Sequence, residues 1–145
     1  MARKTTDELL AQVPLFAGLS KKDLQEISGL ATRLDLPEGS ELTHQGGRGY
    51  EFIVVLEGTV DVLIDGKVVA TCGGGDFFGE VGLLEDRPRR ATVIAKTDVT
   101  VDVIGRPEFS VLLDDLPQIE KQLRAAMERR LAEDEELLGG ATTDP

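Results

Sequence analysis

The sequence predicts a mainly β domain, a barrel or jelly roll, held between N-terminal and C-terminal helices. Three observations carry that prediction. Short β-rich runs, punctuated by glycine turns, crowd the stretch from about residue 32 to 104. No long helical pattern lies between them to make the crossovers of a parallel sheet. Helical periodicity returns only at the two ends.

Each element has a local reason. Asp7-Glu8-Leu9-Leu10-Ala11 starts a short helix, and Val13-Pro14 closes it. Ser20 is suited to cap a second helix, in which Leu24, Ile27 and Leu30 are spaced for one buried face. Phe52-Ile53-Val54-Val55-Leu56 is an apolar strand that ends at the turn signal Glu57-Gly58. The run from Thr59 to Ile64 alternates, and Asp65-Gly66 is a two-residue hairpin signal before Lys67-Val68-Val69-Ala70-Thr71. Two further strands are expected over Ala91 to Ala95 and Val99 to Ile104. After Gly105-Arg106-Pro107, the run Glu108 to Leu113 is helical; Asp115-Leu116-Pro117 breaks it, with Pro117 in a new first turn. Ile119, Leu123, Met127 and Leu131 then recur at spacing four, an apolar stripe. Gly139-Gly140 is expected to stop that helix. The domain expected is therefore residues 1–138, with helices over 5–30, a β-roll over 32–104, C-terminal helices over 107–138, and a flexible tail over 139–145.

The 145 residues suit one domain, and 41% hydrophobic with 30% charged residues is a globular composition. No apolar run approaches the ~18 residues of a spanning helix, and the N-terminus lacks the apolar core of a signal peptide. The expectation is a cytoplasmic protein with no membrane partner. Cys72 is the single cysteine, so no internal disulfide can form. The net charge of −11 argues against direct nucleic-acid binding, which needs a basic footprint. Against that acidic background Arg87, Arg89 and Arg90 stand out as a local basic patch.

The chemistry concentrates between Gly73 and Thr92. Gly79 and Gly82 let a ligand approach the backbone, since neither carries a Cβ. Residues Gly82 to Asp86 suit a single helical turn with free N–H groups for an anion. Glu80 offers an acceptor for a sugar hydroxyl, and Arg89 a planar cationic fork for a phosphate. A carboxylate for a hydroxyl and an arginine for an anion, on one loop, describe a ribose-phosphate ligand.

Phe78-Gly79-Glu80-Val81-Gly82-Leu83 and Arg89-Arg90-Ala91-Thr92 resemble, position by position, the phosphate-binding cassette of the cyclic nucleotide-binding domain family. That family includes regulatory subunits of cAMP-dependent protein kinase and catabolite activator proteins. Val13-Pro14-Leu15-Phe16-Ala17-Gly18-Leu19-Ser20, Pro37-Glu38-Gly39 and Leu56-Glu57-Gly58-Thr59-Val60 are similar to further landmarks of the family, so the resemblance covers most of residues 13–131. It implies an eight-stranded jelly-roll β-barrel flanked by helices. It also implies that Glu80 binds the ribose 2′-hydroxyl with help from the Gly79 N–H, and that Arg89 pairs with the cyclic phosphate. The N–H groups of Gly82 and Arg90 are the further phosphate donors it suggests. Arg90 stands where Ser, Thr or Ala is common; without the Thr or Ser that accompanies cGMP preference, cAMP is the expected ligand and cGMP the alternative. A one-residue slip would make Arg90 the phosphate partner, but the loop length from Glu80 and the adjacent Pro88 favour Arg89.

Blander explanations exist for each feature. Glu80 and Arg89 could form a structural ion pair in a ligand-free jelly-roll interaction scaffold, the alternative to a sensor. Gly73-Gly74-Gly75 lacks the Gly-Lys-Ser/Thr of a triphosphate loop and is expected to be a turn. His44 is the only histidine, too few for the histidine-rich metal centre of a jelly-roll enzyme, so neither enzyme activity nor a metal is expected. The acidic run Glu133-Asp134-Glu135-Glu136 reads as a solvated helix end. The family resemblance implies that the last helix caps the purine or forms a homodimer. After residue 131 only a short acidic tail remains, so output is expected through a separate effector protein that senses movement of this helix.

Overall fold

The computed structural model describes residues 6–49, 51–85 and 87–142. Among them, eight strands form two four-stranded antiparallel sheets. The first has the order β1 (Thr32–Leu36), β8 (Val99–Gly105), β3 (Glu51–Glu57), β6 (Phe77–Phe78). The second has the order β2 (Glu41–Thr43), β7 (Thr92–Ala95), β4 (Thr59–Ile64), β5 (Lys67–Gly73). The helices are α1 (Thr6–Ala11), α2 (Lys21–Leu30), α3 (Glu80–Glu85), α4 (Arg106–Asp115) and α5 (Pro117–Thr142), with a 3₁₀ turn at Pro14–Phe16. This is the jelly roll with flanking helices. None of the described helices is long and apolar enough to cross a membrane.

The sheets meet through side chains. β4 points Val60, Val62 and Ile64 inward, and β7 points Val93 and Ala95 the same way. Ile53 and Val55 of β3, Val99 and Val101 of β8, and Phe78 of β6 meet them from the opposite sheet. Period-two alternation puts the intervening residues of β3, Phe52, Val54 and Leu56, on the other face, under the helices. There they join Phe16, Ile27, Phe109, Leu112, Ile119 and Leu123 in a second apolar cluster. The ring of Phe52 lies 5.6 Å from Phe77 and 5.1 Å from Phe109. Full burial of such side chains contributes about 1.5–3 kcal/mol each. β3 is therefore the floor on which both the roll and the helical layer rest.

Local signals set the boundaries. Ser20 caps α2, its Oγ accepting the Asp23 N–H at 3.1 Å. Asp65 and Gly66 both take positive φ (53° and 79°), the geometry of a tight hairpin between β4 and β5. Pro107 and Pro117 stand in the first turns of α4 and α5. Arg33 of β1 grips Asp102 of β8 with two contacts, 3.0 and 3.2 Å, holding the edge strand against its neighbour.

Three boundaries differ from expectation. The turn expected over Gly82 to Asp86 is α3, Glu80–Glu85, two residues earlier, because the chain begins to wind directly after Gly79; Asp86 lies outside the described residues. The C-terminal helices begin at Arg106. The last of them does not stop at Gly139-Gly140: α5 continues to Thr142, so residues 139–142 are helix and not tail. Glycine in a helix costs about 1 kcal/mol relative to alanine, which disfavours winding without forbidding it. Residues 143–145 of the expected tail, and Thr5 at the start of the expected N-terminal helices, lie outside the described residues.

Candidate functional site

A small cleft of about 20 Å³ opens where β6, α3, β7 and α5 converge, lined by Thr43, Phe78, Gly79, Glu80, Arg89, Arg90, Ala91, Val93 and Arg130. Six of the residues singled out in the sequence, Phe78, Gly79, Glu80, Arg89, Arg90 and Ala91, are thus brought together. Phe78 and Ala91 are buried and form part of the inter-sheet core, so the cleft wall is continuous with the roll. Leu83 packs instead against the helical cluster. The Thr92 hydroxyl accepts the Gln45 N–H at 3.0 Å, tying the start of β7 to the loop after β2. Val81 and Gly82 lie in the first turn of α3.

Gly79 is the pivot. Its φ is +99°, and a Cβ added there would collide with the Glu51 carbonyl oxygen and Arg89 Nη1. Gly49 makes a matching close approach, for its Cβ would collide with the Arg89 guanidinium. Arg89 is therefore packed between two backbones that only glycine leaves open. Its own backbone is pinned on both sides: the Arg89 N–H donates to Gly47 O at 2.9 Å, and the Gly46 N–H donates to Arg89 O at 2.8 Å. Nη1 donates to the Glu51 carbonyl at 3.1 Å. Burial pushes the guanidinium below its ordinary value, while the Glu51 and Glu80 carboxylates pull it back. It remains a cation at physiological pH. Next to it, the Thr43 hydroxyl donates to Ala91 O at 2.9 Å and fixes the strand that follows.

Glu80 is the most enclosed charge in the cleft, only 1% exposed. A carboxylate so buried needs a partner. The partner is Arg130 of α5, whose Nη1 donates to Glu80 Oε1 at 2.8 Å. The same guanidinium lies 4.4 Å above the Phe77 ring and 5.4 Å from that of Phe78. Sequence reasoning missed Arg130. It sits fifty positions beyond Glu80, and its one signal was a position three residues after Met127 of the apolar stripe. That stripe is packing: Ile119, Leu123 and Met127 are buried, and Leu131 is half-buried.

Two other residues proved peripheral. Cys72 is half-buried on β5; burial and Asp76 push its thiol up, and Arg130 and Arg90 oppose this. His44 is exposed and pairs with Glu41 at 3.2 Å. Among the described residues no group of three or more His, Cys, Asp or Glu is placed to hold a metal ion.

Residues 33–115 match the model of the cyclic nucleotide-binding domain. The chain is also 34% identical, over 119 residues and 81% of its length, to a cAMP-dependent protein kinase regulatory subunit of Aspergillus niger. The chain belongs to the cyclic nucleotide-binding domain family. It spans 29% of that regulatory subunit's length. Among solved structures, cAMP-bound PfPKA-R superposes with a TM-score of 0.82 at 26% identity, over 92% of this chain and 46% of that one. The regulatory subunit of a cAMP-independent protein kinase A from Trypanosoma brucei superposes with a TM-score of 0.77 at 26% identity, over 86% of this chain and 46% of that one. The family therefore sets the fold of this chain, and the residues of the cleft must decide its ligand.

Proposed function

We propose that this chain is a cyclic nucleotide-binding regulatory module, taking cAMP in preference to cGMP, with Arg89 on the cyclic phosphate and Glu80 on the ribose 2′-hydroxyl. The observation that carries the reading is the pairing of opposite chemistries in one cleft. A half-buried arginine, fixed by backbone on both sides, stands across from a buried carboxylate, with Gly79 between them. The matched relative is a regulatory subunit, which supports a binding module over an enzyme.

Arg130 supports a route for output. It ties α5 to the residue assigned to the ribose, so the state of the cleft and the position of α5 are linked. A ligand that favours one position of α5 shifts that equilibrium by its difference in affinity for the two states, and a separate effector protein reads the helix.

A second reading is a ligand-free interaction scaffold of cytoplasmic location, and one observation favours it: Glu80 already has a partner within the chain. Titration calorimetry with cAMP and with cGMP separates the two. The sensor reading expects saturable heat at one site per chain, with cAMP tighter. No heat with either nucleotide at high micromolar concentration would leave the scaffold reading in place.

A further inference from the structure

With Arg89 assigned to the phosphate and Glu80 to the ribose, the cleft has an uncharged wall left over: Phe78, Ala91, Val93 and Thr43. Three of these are apolar, a surface suited to the flat face of a base. Thr43 is the exception, a hydroxyl on a residue only 7% exposed. It ends β2 in register with Val93 of β7. The described cleft has room for about one water, so a nucleotide must part its walls. The strand pairing holds Thr43 beside Val93 whichever wall gives way.

The hydrogen-bond capacity of Thr43 is already half committed. Its Oγ lies 2.9 Å from Ala91 O, and a carbonyl oxygen has no hydrogen to give, so the hydroxyl proton belongs to that bond. What Thr43 can still offer a ligand is lone pairs. Arg89, Arg90 and Arg130 are donors only, so Glu80 and Thr43 are the side-chain acceptors among the described residues that line the cleft. Adenine carries one donor group on its ring, the 6-amino group, and guanine has a carbonyl in that place. We infer that Thr43 is a specificity residue for the 6-position of the purine: its Oγ accepts a hydrogen bond from the amino group of adenine and sets lone pairs against the carbonyl of guanine. The inference rests on the proposed function, since it needs a cyclic nucleotide anchored at Arg89 and Glu80, and it gives the preference for cAMP a residue.

The test compares cAMP with purine riboside 3′,5′-cyclic monophosphate, which has hydrogen in place of the amino group. Both compete against a fluorescent cyclic nucleotide on wild type, Thr43→Val and Thr43→Ser. One neutral hydrogen bond is expected to favour cAMP roughly three- to tenfold in wild type. Thr43→Val is expected to bring the two ligands within about twofold of each other, whereas Thr43→Ser, which keeps the hydroxyl, retains the preference. Loss of the Thr43 bond to Ala91 O weakens both ligands alike and cancels in the ratio. No preference in wild type, a preference that survives Thr43→Val, or one lost in Thr43→Ser as well would each overturn the inference. A measurement on wild type covers the case in which Thr43→Val does not fold. In the cAMP complex a nuclear Overhauser contact is expected between the adenine amino protons and the Thr43 methyl group, and its absence from a saturated complex would contradict the inference. Wild type that binds neither nucleotide sinks the proposed function itself, a result distinct from wild type that binds both equally.

Discussion

The two ends of the cleft are built on opposite terms. At one end Arg89 is a half-buried cation whose backbone is clamped and whose Nη1 donates to a neutral carbonyl, that of Glu51. At the other, Glu80 is a buried anion already neutralised by Arg130. A phosphate arriving at Arg89 adds a counter-charge to a cation that keeps donors to spare, since a guanidinium carries five. A hydroxyl arriving at Glu80 shares a carboxylate with an existing partner. On the proposed function, the contrast assigns different work to each end: the arginine end would supply most of the affinity, and the glutamate end selectivity and contact with α5.

The largest expected effect tests the arginine end. On the proposed function, Arg89→Ala removes a bidentate charge-assisted contact to the phosphate, with each hydrogen bond to a charged group worth about 1.5–3 kcal/mol. Binding of cAMP by calorimetry is expected to weaken roughly 100- to 10,000-fold. A loss of less than tenfold would mean that Arg90, which lines the same cleft, is the phosphate partner.

The next effect lies at the joint between the two ends. Gly79→Ala forces a side chain into a positive-φ position against Glu51 O and Arg89 Nη1. A strained backbone position of this kind costs on the order of 1–3 kcal/mol. Chemical denaturation is expected to show that loss, together with weaker binding because Arg89 must shift. Unchanged stability would show that the joint is softer than its packing implies.

The smallest effect is a control outside the cleft. Glu26 on α2 faces Asp115 at the end of α4. A hydrogen bond to Asp115 raises Glu26 above its ordinary value of 4.5; burial and the charges of Asp115 and Asp23 add to this, and Lys22 opposes it. The folded chain therefore holds this proton more tightly than the unfolded one. The contribution to stability is present in full below the ordinary carboxylate value and is lost as pH rises through the raised one. Glu26→Gln is expected to flatten that part of the profile in melts from acid to neutral pH, and to leave cAMP affinity unchanged. A change in affinity would join the α2–α4 contact to the cleft and blur the contrast between its two ends.

How much of this was legible in the sequence follows the range of the contacts. The Ser20 cap, the Asp65-Gly66 hairpin and the bounds of β4 rest on neighbours in the chain, and they were readable there. So was the loop from Phe78 to Thr92, because its chemistry is contiguous. The short strands β1, β2 and β6 were not individually legible; two or three residues, as in β6 and β2, carry too little periodicity to stand out. Arg33 and Asp102, on strands almost seventy positions apart, gave one hint, a charged residue inside the valine-rich run of β8. Arg130 gave less, since an arginine beside an apolar stripe on a charged helix is what any amphipathic helix presents. Only the folded chain brings it onto Glu80. The opening expectation for Gly139-Gly140 failed for a related reason: propensity is a weak prior at single positions.

The central claim is that one cleft holds the ribose and the phosphate together, and an NMR titration of the isotopically labelled wild-type chain with cAMP tests it most directly. Saturable shifts are predicted at the backbone amides of Gly79 to Leu83 and Arg89 to Thr92, reaching an endpoint at one ligand per chain. Absence of shifts at high micromolar cAMP, or shifts confined to residues away from these two segments, would contradict it.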